Sequence, residues 1–172
     1  MQNLYTYTVP EFITLLQGLK GVLDKGEVYA KEKGIAESTL LADALYQDMF
    51  PLKKQVQLAS DHAKGLVARL TGKENPPMED TENTFAELHS RIDKTIVFLQ
   101  SVKMEDFAGA EEKQITIKWY PGKYMTGEGY TIAYAVPNFM FHVTTAYGIL
   151  RKNGVPIGKS DFVNTLPLLD LQ

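Results

Sequence analysis

The chain has 172 residues and a mass of 19.3 kDa, the length of a single domain, read here as 1–172 with a tail at 160–172. At 44% apolar and 23% charged residues it is neither disordered nor fibrous, and 18 basic against 21 acidic side chains leave a formal charge of −3, too balanced for a nucleic-acid binder. The absence of cysteine excludes a disulfide framework, a thiolate metal site and a cysteine nucleophile.

The opening Met1-Gln-Asn-Leu-Tyr-Thr-Tyr-Thr8 has neither a basic n-region nor an apolar h-region, so no signal peptide is expected and the chain is read as cytoplasmic. The first helix is predicted to start near Thr8, as N-cap, with Pro10 and Glu11 in its first turn. Phe12, Leu15, Leu16, Leu19, Val22 and Leu23 then recur at helical spacing. Gly18, Gly21 and Gly26 imply close packing against a neighbour, with a break near Gly26 as the alternative, and Gly34 is a natural stop.

Ser38 to Phe50 has no clean period and reads as a connecting arm with one helical turn. Pro51 opens a second helix whose apolar stripe runs from Leu52 through Val56, Ala59, Ala63 and Leu66 to Leu70, ending at Gly72. Thr84 and Glu87 form a capping box for a third helix, with Phe85, Leu88, Ile92, Ile96 and Leu99 on one face. Residues 114–120 then alternate, placing Ile115, Ile117 and Trp119 on one side of a strand. Pro121-Gly122 turns the chain and Lys123–Met125 returns as a second strand.

The fourth helix is expected from Glu128 to Asn153, capped by Gly154 and kinked or restarted at Pro137. Its core face reads Ile132, Val136, Phe139, Val143, Ala146 and Leu150. Tyr130 to Leu150 contains no charged residue and is long enough to span a bilayer, but Pro137, Asn138, His142 and several threonines favour a helix buried in a soluble bundle. The fold class expected is all-α, four long helices with a small β-hairpin between the third and the fourth.

Three histidines are the candidates for metal or acid–base chemistry. His142 lies on the flank of an apolar helix and is expected to be buried, with Asn138 one turn away as the acceptor for its N–H. His62 borders the stripe of the second helix and His89 that of the third; both read first as boundary residues. Asp61 points away from His62 and shares a sector with Leu58 and Gly65, a second packed face that suits a subunit contact. No nucleophile elbow or phosphate loop occurs, and Glu79-Asp80 reads as a solvated turn.

Two segments are distinctive: Asp48-Met-Phe-Pro-Leu-Lys-Lys-Gln-Val-Gln-Leu-Ala-Ser-Asp61-His-Ala-Lys-Gly65, and Pro137-Asn-Phe-Met-Phe-His142-Val-Thr-Thr-Ala-Tyr147-Gly continuing to Gly158. With Glu79-Asp-Thr81 they resemble a domain-of-unknown-function family of the DinB/YfiT-like superfamily, over about Tyr5 to Phe162. The resemblance implies a DinB-like four-helix bundle with long crossover connections, often dimeric. The superfamily's metal-binding members use one histidine on the second helix and an His-x-x-x-His pair on the fourth; His62 and His142 match two of these, and Asn138 stands in place of the third.

Two functions remain open at this point. The favoured one is a non-catalytic small-ligand-binding or interaction module, a homodimer with a degenerate metal site, no cofactor, no membrane and no nucleic-acid partner. Its ligand-binding candidates are Asn138, His142 and Asp61. The alternative is a DinB-like hydrolase or thiol transferase in which His62 and His142 bind Zn²⁺ or Ni²⁺, with Asn138 or Asp61 completing the shell. No catalytic residue is assigned in either.

Overall fold

A computed structural model describes residues 4–166 and 168–171. The readings of Met1-Gln-Asn at the amino end, and of the tail at Pro167 and Gln172, lie outside the described residues. Among the described residues, seven α-helices, a 3₁₀ turn at Met104–Phe107 and a two-stranded hairpin follow the order α1 (Leu4–Lys33), α2 (Glu37–Ala42), α3 (Leu52–Thr71), α4 (Phe85–Gln100), β1 (Gln114–Thr116), β2 (Tyr124–Thr126), α5 (Gly127–Tyr130), a π-helical segment (Thr131–Ala135), α6 (Val136–Lys152) and α7 (Lys159–Val163). Four long rods, α1, α3, α4 and the continuous α5–π–α6 element, enclose one core.

Their arrangement explains the long connections. Both α3 and α1 pack on α4 and on α6, so α1 faces α3, and α4 faces α6, across the diagonals of the bundle. The arm at 34–51, carrying α2, takes the chain from α1 to its diagonal partner α3, and the hairpin segment does the same between α4 and α6. This is a four-helix bundle with long crossover connections, as the resemblance implies. At its centre Phe12 of α1 stacks on Phe139 of α6, ring centroids 4.1 Å apart. The side-chain position that Gly26 lacks would fall 2.8 Å from Leu150, so α1 runs unbroken here because the glycine lets the two helices close up.

Local signals account for most helix ends. Gly72, left-handed at φ +77°, closes α3. Thr84 accepts from the Glu87 amide while the Glu87 carboxylate accepts from the Thr84 amide, the full capping box of α4. The start of α1 differs from expectation. It begins at Leu4, and Thr8 is a buried residue within the helix whose hydroxyl donates to the Leu4 carbonyl at 2.7 Å rather than capping the end. Pro10 is accommodated inside the helix.

The hairpin is shorter than its alternation suggests. Ile115 and Ile117 are buried, but the chain turns after Thr116, with the Tyr120 amide donating to the Ile117 carbonyl at 2.9 Å. Trp119 is thereby turned outward and is 68% exposed, which corrects its placement with the two isoleucines.

The break foreseen at Pro137 takes the form of a π segment. Proline has no N–H to give to the carbonyl four residues back, and the preceding Val136 amide reaches back five residues to Thr131. The inserted residue rotates everything upstream by about 100° relative to a continuous α-helix. Ile132, expected in the core, is therefore 64% exposed, while Tyr130, Thr131 and Ala135 point inward. Among the described residues no helix is long and apolar enough to cross a membrane; the charge-free stretch 130–150 supplies the bundle interior instead.

Candidate functional site

Helices α3 and α6 form the most extensive helix pair in the bundle, and each carries one histidine to their shared edge. The rings of His62 and His142 stack, centroids 5.4 Å apart and planes 17° from parallel. His142 is buried; His62 is half-buried. The stack is extended by aromatic neighbours: Phe141 meets His142 edge-on at 5.3 Å, and Tyr134 of the π segment lies 5.9 Å from His62. Tyr130 in turn stacks on Tyr134 at 5.7 Å beneath the Arg69 guanidinium.

The hydrogen bonds fix the chemistry of His142. Its Nδ1 lies 2.8 Å from Oε1 of the buried Gln55, two helical turns before His62 on α3. The amide nitrogen of Gln55 is spent on the Phe50 carbonyl at 2.9 Å, so its oxygen faces the imidazole and accepts. His142 is thus the Nδ1–H tautomer, and its Nε2 is a bare acceptor. Burial is the main cause that holds the imidazoles of both His62 and His142 down at about 4, reinforced by Arg69 for the first and by His62 and Lys54 for the second. At neutral pH the pair is uncharged.

Asn138 plays a different part from the one its spacing suggested. Its Nδ2 donates to the Tyr134 carbonyl at 2.6 Å, one turn upstream, where the π segment meets Pro137. The acceptor for His142 comes from the neighbouring helix instead, because the Asn138 amide is already committed to the distorted backbone. Asp61 is likewise drawn elsewhere: Oδ1 accepts from Arg91 at 2.8 Å and pairs with Lys64 at 3.3 Å. His89 sits apart on α4, its Nε2 3.1 Å from Asp24. Of the candidates, then, His62 and His142 come together, whereas Asp61 and His89 face other partners.

Arg91 is the residue the sequence reading passed over. Its side chain is 1% exposed and is held by Asp61, by Glu82 at 2.9 Å, by Asp80 at 3.1 Å and by the Glu79 carbonyl at 3.2 Å. Asp80 also pairs with Lys54, and Gln57 donates to Glu82. The loop read as a solvated turn is therefore strapped across α3 and α4 by charge. Arg91 falls three residues after Leu88 on the stripe side of α4, the one signal that marks it as an inward charge.

The residues present do not make a complete site for zinc or nickel. Such a centre takes three imidazole, thiolate or carboxylate ligands and an open position, and this face offers two imidazoles. Among the described residues no cluster of three His, Cys, Asp or Glu side chains is placed to hold an ion.

A family model described as "Domain of unknown function (DUF1993)" matches residues 4–163. A crystal structure of a DinB family member protein from Shewanella denitrificans is 43% identical over 98% of this chain and 96% of that chain, with a TM-score of 0.94. No curated protein matches.

Proposed function

We propose, for a chain that belongs to the DUF1993 family within the DinB-like superfamily, that it is a metal-free, non-catalytic small-ligand-binding module built on the His62–His142 face. The observation that carries this reading is the lack of a third ligand beside the two neutral imidazoles among the described residues, since Asn138 is turned to its own backbone. A metal-binding histidine bonded to such an amide would be expected to stand among two further strong donors, and here the third helical position holds Asn138, turned to its own backbone.

The chemistry the face supports is hydrogen bonding and stacking. His142 Nε2 and the ring nitrogens of His62 make no hydrogen bond among the described residues. Flanked by Phe141 and Tyr134, they suit a planar ligand that donates an N–H or O–H to an imidazole and lays its face on an aromatic ring. Neutral imidazoles are also good metal ligands, and the pairing of His62 with His142 across α3 and α6 is what favours the second reading, a Zn or Ni hydrolase or transferase. Elemental analysis of protein purified without tag or chelator separates the two. The first reading expects metal well below one equivalent; a stoichiometric metal that disappears in His142→Ala supports the second.

A further inference from the structure

We infer that the cleft between the β1–β2 hairpin and the π segment is a binding site for a small aromatic carboxylate. It has a volume of about 300 Å³, room for a ligand of one ring. Buried Ile115 and Ile117 and half-buried Met125 line its hairpin side, and Tyr134 lines the helical side. Tyr120 and Tyr124, each more than half exposed, stand at its mouth with Lys123. The same Tyr120, Lys123 and Tyr124 also border the hollow on the other face of the hairpin, so the tip of the ribbon presents them on both sides.

Charge and shape select the ligand class. From Lys113 to Gly127 the chain has three lysines and no acidic residue. Lys113 donates to the Leu70 carbonyl and Lys118 lies over the Trp119 ring, 4.3 Å from its centroid. The Lys123 ammonium is left without an ion-pair partner among the described residues, at the rim of an apolar slot. A ring seated between Ile117 and Tyr134 with its carboxylate at Lys123 uses both properties at once. An aliphatic acid would leave the tyrosine faces without a stacking partner, and a neutral arene would leave the cation idle.

Tyr134 ties this cleft to the imidazole pair. Its ring walls the cleft and also contacts His62, and it is carried by the π segment that Pro137 and Asn138 shape. The inference rests on the reading of the chain as a small-ligand module; it adds a second seat, joined to the imidazole face by Tyr134 and suited to an anionic ring rather than to a ligand that donates to an imidazole.

The test uses the full chain and its single tryptophan, which lies on the hairpin beside Tyr120. Phenylacetate and its neutral analogue phenylacetamide are titrated into native protein, Lys123→Met and Tyr134→Leu, following Trp119 fluorescence and the His62 ring-proton resonances. The expected result is saturable binding of phenylacetate that also moves the His62 signals. Lys123→Met should weaken phenylacetate at least tenfold and leave phenylacetamide unchanged, and Tyr134→Leu should weaken both. Lys123 is exposed on a turn, so its variant keeps the fold, which circular dichroism checks. No saturation up to the solubility of phenylacetate, or equal affinity in native and Lys123→Met protein, overturns the inference. A metal-loaded protein that still binds phenylacetate would sink the metal-free reading and spare the cleft; a metal-free protein blind to phenylacetate would do the reverse.

Discussion

Nδ1 of His142 lies 2.8 Å from Oε1 of Gln55, an acceptor supplied by the neighbouring helix 87 positions away in the chain. That bond sets the tautomer and leaves one nitrogen to face whatever binds, while burial keeps the ring neutral. Removing the acceptor tests it. Gln55→Leu strands a buried N–H and is expected to destabilise the protein by about 1–3 kcal/mol in urea titrations. Adding His142→Leu should recover part of that loss, because no orphaned donor remains. Gln55→Glu should act oppositely on the imidazole, raising its pKa as the carboxylate favours the charged ring; NMR titration of His142 reads this directly.

The imidazole pair also predicts how stability varies with pH. In the unfolded chain each histidine takes its proton near 6.5, whereas in the folded protein both remain neutral down to about 4. The unfolded state therefore binds more protons between these values, and the pair's contribution is present above pH 6.5 and lost as pH falls toward 4. At about 1.4 kcal/mol per pKa unit the loss is on the order of a few kcal/mol. Carboxylates held low by their partners, such as Asp43 and Asp161, give up their share only below their ordinary value of 3.8, so the windows separate. Urea midpoints measured at pH 7.5, 5.5 and 4.5 should fall steadily for the native protein and less steeply for His62→Phe, which keeps a ring in the stack.

Asn138 is a backbone support at the π segment, and its removal should show that. Asn138→Ala leaves the Tyr134 carbonyl without its side-chain donor and should cost about 1 kcal/mol. Its effect should add to that of His142→Leu to within about 0.5 kcal/mol, since the two side chains bond different groups. A large coupling energy in the double-mutant cycle would restore the direct pairing that their spacing suggests.

Arg91 is expected to be the most sensitive charged position. With its guanidinium buried among Asp61, Asp80 and Glu82, Arg91→Met leaves carboxylates uncompensated and should cost about 3–5 kcal/mol. Asp61→Asn removes one of several negative charges around Arg91, from a side chain that is 36% exposed, and should cost about 1 kcal/mol or less. Thermal melts of the two variants compare them directly.

Much of this architecture is written locally. Gly72, the Thr84–Glu87 box and Gly154 mark helix ends because each signal acts within one turn, and His142 is legible as buried because its helix is apolar on most sides. Periodicity tells which way a side chain faces but not what meets it from another helix. Gln55 and Arg91 were therefore illegible as partners: each sits beside an apolar stripe, and its role depends on Phe50, His142, Asp80 or Glu82 arriving from other elements. Ile132 and Trp119 were misplaced for a related reason. A single π turn and a single β-turn each shift the register, and a fixed period carried across them points to the wrong face.

The central claim is that this face is a neutral imidazole pair and not an ion cage. Calorimetric titration of Zn²⁺ into native protein and Asn138→His, side by side, tests it most directly. The account predicts no binding to the native chain at micromolar zinc and at least hundredfold tighter binding once the third imidazole is supplied. One equivalent of zinc bound by the native chain at micromolar concentration, and lost in His142→Ala, would contradict it.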